Sequence, residues 1–319
     1  MPRGWRSTSS RKGPMPTKSG FVAVLGRPNV GKSTLVNALI HAKVAVVSEK
    51  PQTTWFNVRG ILTEDDVQIV LIDTPGLHES EKLLNRCMTS QSLEALKEAD
   101  AYLYVMEPDA AKIVQDYPWF ERLRKASKPG VGVVNKIERL GANEREAVLA
   151  KAQDAAPFLR VLGVSALTDE GLAALVLELK GLLPEGAWLY DAELISDSPV
   201  RFLAKEFIKE KLFEELKDEL PYETAVVVAH WVEGPEDPVE ISAEIWVNRE
   251  SQKPIVIGKG GEMIKRIGTK ARLEIEELIG RHVYLSLHVK VKPHWMKAEG
   301  LLKEAGFPHV PAQAKKEGR

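Results

Sequence analysis

The sequence predicts an α/β domain with a mostly parallel sheet and flanking helices, followed by a smaller α+β domain. Three observations predict it. A short β-rich run, Phe21 to Leu25, leads through Gly26-Arg27-Pro28-Asn29-Val30-Gly31-Lys32-Ser33 into a run with helical apolar spacing at Leu35, Val36, Leu39 and Ile40. Strand-like and helix-like runs then alternate as far as Leu183, the pattern of a parallel sheet covered on both faces. Beyond Pro199 the order changes to helix, two strands, and a Gly258-Lys259-Gly260-Gly261 turn set between helices, with a further strand behind it.

At 319 residues the chain is long enough for about two cores. The expected division is a basic, disordered extension over 1–20, a first domain over 21–183, a linker over 184–198, a second domain with its tail over 199–307, and disorder over 308–319. Met15 also offers an internal start. A net charge of -1 gives no global basic field, so nucleic-acid contact requires a local patch. Cys87 is the only cysteine, which excludes an internal disulfide and a cysteine metal cage, and it reads as a small buried hydrophobe. No apolar run approaches the ~20 residues that span a bilayer, and no apolar segment follows the N-terminus. A cytoplasmic location is expected, with basic patches permitting peripheral contact at the inner membrane face.

The loop from Gly26 through Asn29, Val30 and Gly31 turns consecutive N–H groups inward at a helix N-terminus, which makes a polyphosphate cradle. Lys32 can reach the β- and γ-phosphates, Ser33 can offer its hydroxyl to Mg²⁺, and Thr34 lies in the first helical turn. Lys43 to Asn57 has no clear period and reads as a long functional loop. Its Thr53 and Thr54 are candidates for a threonine that ligates Mg²⁺ in a nucleotide switch, with Thr54 preferred.

Strand-like runs at Val58 to Leu62 and Val67 to Ile72 flank the turn Glu64-Asp65-Asp66. The second run ends at Asp73-Thr74-Pro75-Gly76, where Asp73 can hold Mg²⁺ through water and Gly76 can bring its N–H to a γ-phosphate. A helix over Leu83 to Glu98, a strand over Ala101 to Met106, a helix over Ala111 to Ala126 and a strand over Gly130 to Val134 continue the alternation. Asn135-Lys136-Ile137-Glu138 then stands at a strand's carboxyl end, where such sheets bind ligands. A strand over Val161 to Val164 runs into Ser165-Ala166-Leu167, and Gly171 to Leu183 makes the closing helix.

In this order the motifs resemble those of the P-loop GTPases of the translation-factor class. The resemblance implies that Asn135, Lys136 and Glu138, with Ser165 and Ala166, hold guanine. Glu138 stands where those GTPases have aspartate, and Leu77 where many small GTPases carry a water-orienting glutamine, so slow intrinsic turnover is expected. Arg27 and Arg59 read as solvated surface residues rather than as catalytic arginines.

In the second half, Ser198 and Pro199 start a helix whose stripe of Leu203, Phe207, Leu212, Phe213, Leu216 and Leu220 is a core face. Lys205, Glu206, Lys209, Glu210, Glu214 and Glu215 fall outside that stripe and read as a solvated face. Strands over Ala225 to Val232 and Ile241 to Asn248 follow, then the glycine turn, a helix through Leu278 and a strand over Val283 to Val291. A G-x-x-G turn lets a nucleic-acid backbone approach, and Lys259, Lys265, Arg266, Lys270 and Arg272 gather positive charge around it. Ile257 to Gly261 and the order of elements resemble a KH domain of type II topology.

The pairing of these halves, with Pro51-Gln52-Thr53-Thr54 in the loop, resembles the Era-like family of GTPases. Trp55 departs from it, standing where that family commonly has arginine. The resemblance implies a monomeric switch that uses Mg²⁺ with GTP and GDP, binds small-subunit (16S) ribosomal RNA near its 3′ end, and assists maturation of the small ribosomal subunit. Two alternatives stay open from Leu77 and Glu138: an RNA-binding assembly factor whose nucleotide is not cycled, and an RNA-dependent P-loop ATPase with relaxed base specificity.

Overall fold

Short runs of β-branched residues make the first sheet. In the computed structural model, which describes residues 17–307 except Glu49, Pro51, Gln52, Glu79, Glu81, Pro157, Phe158 and 235–237, six strands lie in the order β2-β3-β1-β4-β5-β6. The expected disorder at both chain ends falls largely outside these residues, as do Pro51 and Gln52. In chain order the elements are β1 (Lys18–Gly26), α1 (Lys32–Ile40), β2 (Val58–Glu64), β3 (Val67–Asp73), α2 (Leu83–Glu98), β4 (Ala101–Met106), α3 (Ala110–Val114), α4 (Tyr117–Ala126), β5 (Gly130–Val134), α5 (Ala142–Ala155), β6 (Arg160–Gly163) and α6 (Leu172–Leu182). Only β2 runs antiparallel to its neighbour, β3. Val22, Ala23 and Val24 of the central β1 are fully buried, because helices cover both faces of the sheet.

Parallel strands point their carboxyl ends the same way, so the loops after β1, β3, β5 and β6 gather along one edge. The helix expected over Ala111 to Ala126 is two helices. Pro118 lacks an N–H and its ring crowds the preceding turn, which forces the break at Gln115 and Asp116, and Asp109 caps the first piece through the N–H groups of Ala111 and Lys112. Helix α5 has no counterpart in the sequence reading, since its buried face is made of Val148, Ala152 and Ala155 and carries little apolar contrast. Residues 184–198 are pinned along the sheet: Ile61 N–H donates to Ile195 O at 2.9 Å, and Gln68 exchanges hydrogen bonds with the backbone of Leu189 and Tyr190.

The second half contains α7 (Val200–Glu215), β7 (Ala225–Val232), β8 (Val239–Val247), α8 (Lys253–Ile257), α9 (Glu262–Ile279), β9 (Val283–Val291) and α10 (Glu299–Glu304). Strand β8 pairs antiparallel with β7 and parallel with β9. Phe207, Ile208 and Leu212 of α7 and Ile267, Ala271 and Ile275 of α9 share one core with this sheet.

Three of the six charged residues of α7 expected on a solvated face overturn that expectation, while Glu214 is exposed as expected. Glu206, Lys209 and Glu210 are 3%, 1% and 4% exposed. An apolar stripe tells which face meets the helix's own core, and here the opposite face is covered by the first half. Trp55 and Phe56, Leu83, Leu84, Cys87 and Met88 of the first half form one apolar cluster with Phe213, Trp246, Trp295, Leu302 and Phe307 of the second. Trp55 stacks on Trp295 with centroids 5.9 Å apart and planes 29° apart. Cys87 is a buried hydrophobe in this cluster, and burial raises its thiol to about 11. Among the described residues no helix is long and apolar enough to cross a membrane.

Candidate functional site

The loop between β1 and α1 supplies the floor of the site. Lys32 is buried and its Nζ donates to the Gly26 and Arg27 carbonyls at 3.2 and 3.0 Å, so the ammonium folds back over the loop that precedes it. Burial pulls this lysine down to about 8, while Asp73 pushes it up. Ser33 Oγ donates to Asp73 Oδ2 at 2.6 Å and lies 3.0 Å from Thr54 Oγ1. Three separated stretches, the start of α1, the loop before β2 and the end of β3, thus meet at three side-chain oxygens. Thr53 turns away, donating its hydroxyl to Lys50 O at 2.9 Å. Of the two threonines, Thr54 is the one brought to Ser33 and Asp73.

Asp73 is fully buried and its Oδ1 has no hydrogen-bond partner among the described residues. Burial raises its carboxyl to about 6, against the pull of Lys32, Ser33 and Thr54. A hard, all-oxygen set with one carboxylate oxygen unsatisfied fits Mg²⁺, which takes one or two protein oxygens and leaves positions for water and phosphate.

The loop after Asp73 is tied to the phosphate loop. Leu77 N–H donates to Gly26 O at 2.9 Å, and a Cβ on Gly76 would lie 2.6 Å from Pro28, so only glycine admits this approach. Thr74 Oγ1 donates to Val24 O at 2.7 Å, and Pro75 O accepts from Ser92 Oγ at 2.8 Å. Leu77 is 2% exposed and packs into the core with Leu25 and Ile72. Asn29, Gly31 and Thr34 line the pocket above Lys32 and Ser33 with Pro28, Val46, Val47 and Ser48. Pro28 belongs to the glycine-loop motif and Ser48 to the loop over Lys43 to Asn57, but Val46 and Val47 carry no signal in the sequence, because a loop without periodicity does not tell which residues turn inward.

At the next loops, Asn135 Nδ2 donates to Val30 O at 3.0 Å and its Oδ1 accepts from Ala166 N–H at 3.1 Å. Asn135 therefore links the phosphate loop to the loop carrying Ser165, which is itself fully buried. Lys136, at a left-handed φ of 64°, donates to Asn29 O and to Glu107 Oε1, the latter at 2.9 Å. Glu107 was also missed in the sequence; it holds both Lys136 and Lys112. Glu138 keeps one carboxylate oxygen, Oε2, buried without a partner among the described residues. Arg27 and Arg59 are surface side chains, 35% and 41% exposed, and each also has a partner: Arg27 donates to Gln115 Oε1 at 2.5 Å, and Arg59 to Asp197 Oδ2 at 3.1 Å.

The glycine turn lies in the second half between α8 and α9. Gly258, Gly260 and Gly261 have φ of 77°, 61° and 82°, and a Cβ on either of the last two would meet open space. Lys259 and Lys265 are exposed beside it. Arg266 and Lys270 instead turn to Glu215 at the end of α7, at 2.5 and 2.7 Å. Ile257, Ile264 and Leu287 are half-buried apolar side chains of the elements that carry and flank the turn.

Comparison with known proteins covers both halves. A family model described as "50S ribosome-binding GTPase" matches residues 21–136, and one described as "KH domain" matches residues 219–296. The protein named GTPase Era of Geotalea uraniireducens is 43% identical over 293 residues, covering 91% of this chain and 98% of its own. That of Coxiella burnetii is 40% identical over 294 residues, covering 92% and 99%. Among solved structures, Era in complex with MgGDPNP and nucleotides 1506–1542 of 16S ribosomal RNA superimposes with a TM-score of 0.86 at 35% identity, over 91% of this chain and 99% of that one. A variant of Aquifex aeolicus Era bound to GDP and aluminium fluoride gives the same TM-score, identity and coverage.

Proposed function

Because the chain belongs to the Era family of GTPases, we propose that it is a guanine-nucleotide switch that binds the 3′ end of small-subunit ribosomal RNA and assists maturation of that subunit. The observation that carries the reading is the meeting of Ser33, Thr54 and Asp73 with a buried, unpartnered Asp73 oxygen. Residues 32–34, at the N-terminus of α1, hold the phosphates with the N–H groups of the preceding loop, and Lys32 regains its full charge against them. Ser33 and Thr54 directly, and Asp73 through water, would hold Mg²⁺, which would supply positive charge against the phosphates.

Gly76 brings its N–H toward the γ-phosphate, and a change there pulls on the loop through Pro75 and Leu77. Leu77 lies in the core and orients no water, so attack relies on backbone groups and intrinsic turnover is slow. Asn135 and the Ser165-Ala166 loop frame the base. The free Oε2 of Glu138 accepts from the guanine N1–H and N2–H₂; adenine offers an inverted edge and leaves that oxygen buried and unpaired.

In the second half, the open turn at Gly258 to Gly261 supports close approach of an RNA backbone, with Lys259 and Lys265 meeting its phosphates. That the related Era structure holds 16S nucleotides supports the choice of RNA. The deciding experiment is competition binding of GTP, GDP and ATP in Mg²⁺ for the wild type and Glu138→Asp. Strong guanine preference in the wild type supports the switch as written. Equal competition by ATP in the wild type rejects it in favour of an RNA-dependent ATPase.

A further inference from the structure

The feature that neither phosphate nor RNA chemistry uses is a buried lysine between the two halves. Lys209 is 1% exposed, and its Nζ donates to the carbonyl of Thr53 at 2.7 Å while lying 4.0 Å from the centroid of the Trp55 ring. Its counter-charge is Glu206, one helical turn back at 3.5 Å. A second clip stands beside it, for Lys50 Nζ donates to the Phe213 and Leu216 carbonyls at the end of α7. The loop that carries Thr54 is therefore gripped on one helix of the second half, by Lys50 before it and by Thr53 and Trp55 on either side of it.

The covalent geometry makes this grip informative. The Thr53 carbonyl, the Thr54 N–H and the Thr54 Cα belong to one planar peptide unit, so holding the carbonyl helps place the Thr54 Cα and leaves rotation about its N–Cα bond to be restrained from the far side. That side chain is the one whose hydroxyl stands 3.0 Å from Ser33 Oγ. Trp55 continues the restraint on the far side, stacked on Trp295 and edge-on to Phe213. An ammonium buried for packing alone would be costly, since an apolar side chain of similar volume fills such a space at least as well.

We propose that Lys209 is a positioning residue for the nucleotide site: from α7 it holds the Thr53 carbonyl and so sets the Thr54 hydroxyl where a Mg²⁺–triphosphate complex would engage it. The inference rests on the guanine-nucleotide reading of the site. It also makes the coupling reciprocal, because whatever nucleotide state secures Thr54 must favour the seating of α7 against the loop.

The test is titration of the full chain with a non-hydrolysable GTP analogue and with GDP, in Mg²⁺ and in EDTA, for the wild type and Lys209→Met, alongside thermal unfolding. The expected result is a fall of about tenfold in Mg²⁺-dependent analogue affinity, the equivalent of one charge-assisted hydrogen bond. GDP affinity in EDTA stays unchanged, and the drop in unfolding temperature caused by leaving Glu206 buried without its partner is relieved by adding Glu206→Gln. Loss of analogue and GDP affinity together would mean that Lys209 only supports the fold, and an unchanged ratio would mean that Thr54 needs no help; either overturns the proposal. Should Glu206, left charged and buried, keep Lys209→Met from folding, Glu206→Gln combined with Lys209→Met carries the same test. A wild type that binds no guanine nucleotide sinks the function reading itself, whereas an unshifted ratio in a nucleotide-binding wild type sinks the role of Lys209 alone.

Discussion

The hydroxyls of Ser33 and Thr54 stand 3.0 Å apart, although one opens a helix and the other belongs to a loop 21 residues further along the chain. Ser33 is placed by its position in the first turn of α1. Thr54 is placed by what flanks it: Thr53 is held by Lys209 of the second half, and Trp55 is held both by Trp295 of the second half and by Gln91 Nε2 of α2, which donates to its carbonyl at 3.0 Å. The proposed nucleotide site is thus shaped in part from outside the domain that carries its glycine loop.

That arrangement separates two adjacent threonines. Thr54→Ala is expected to weaken Mg²⁺-dependent binding of a GTP analogue by about tenfold, the scale of one lost polar contact to a charged ligand. Thr53→Ala removes only a hydroxyl bonded to Lys50 O and is expected to stay within about twofold. Isothermal titration of both variants checks this, and a larger loss for Thr53→Ala would reverse the assignment.

Asp116 yields a prediction on stability. Its side chain is 3% exposed, and burial pushes its carboxyl up to about 7, with Arg27 at 3.8 Å pulling the other way. An unfolded aspartate titrates near 4. Between about 4 and 7 the folded protein holds the extra proton, so stability falls as the pH rises through that window and levels off above it. Asp116→Asn removes the buried charge. It is expected to raise unfolding free energy at pH 8 by about 1 to 3 kcal/mol, less than the ~4 kcal/mol of the full shift because Arg27 loses its partner. The gain should vanish toward pH 4. Denaturant unfolding at both pH values measures it, and a gain that grows on acidification contradicts the account.

What was legible in the sequence was chemistry with fixed spacing. Contacts to a nucleotide's phosphates and base demand particular residues at particular separations, so Gly26 to Ser33, Asp73 to Gly76 and Asn135 to Glu138 could be found and set at strand ends, where the structure has them. Runs such as Val67 to Ile72 disclosed their strands because β-branched residues buried on both faces leave a continuous apolar signal. Helix α5 was invisible because alanines bury a face without apolar contrast. The covered charges of α7 were misread for a different reason: periodicity reports which face is apolar but not whether a second body lies on the polar one. The partners of Arg27, Glu107 and Trp55 are remote in sequence, and nothing local records them.

The glycine turn yields the last prediction. Of the five basic residues near it, Lys259, Lys265, Arg266 and Lys270 are all exposed, but Arg266 and Lys270 both reach Glu215, whose carboxyl their proximity holds below the usual range, and Arg272 pairs with Glu276. Each phosphate contact releases counterions, so its loss lowers affinity across sequences and reduces the salt slope by about one. Lys259→Ala and Lys265→Ala are therefore each expected to weaken binding of a 3′-terminal 16S RNA fragment by severalfold and to flatten its dependence on salt. Arg266→Ala and Lys270→Ala should cost less, because each charge must first leave Glu215. Glu215→Gln, which frees Arg266 and leaves Lys270 only its longer 3.7 Å pair with Glu214, is expected to tighten binding and steepen the salt slope. Fluorescence anisotropy over a salt series measures all five proteins. Weaker binding by a folded Glu215→Gln would show that Glu215 orients Arg266 and Lys270 toward RNA rather than withholding them.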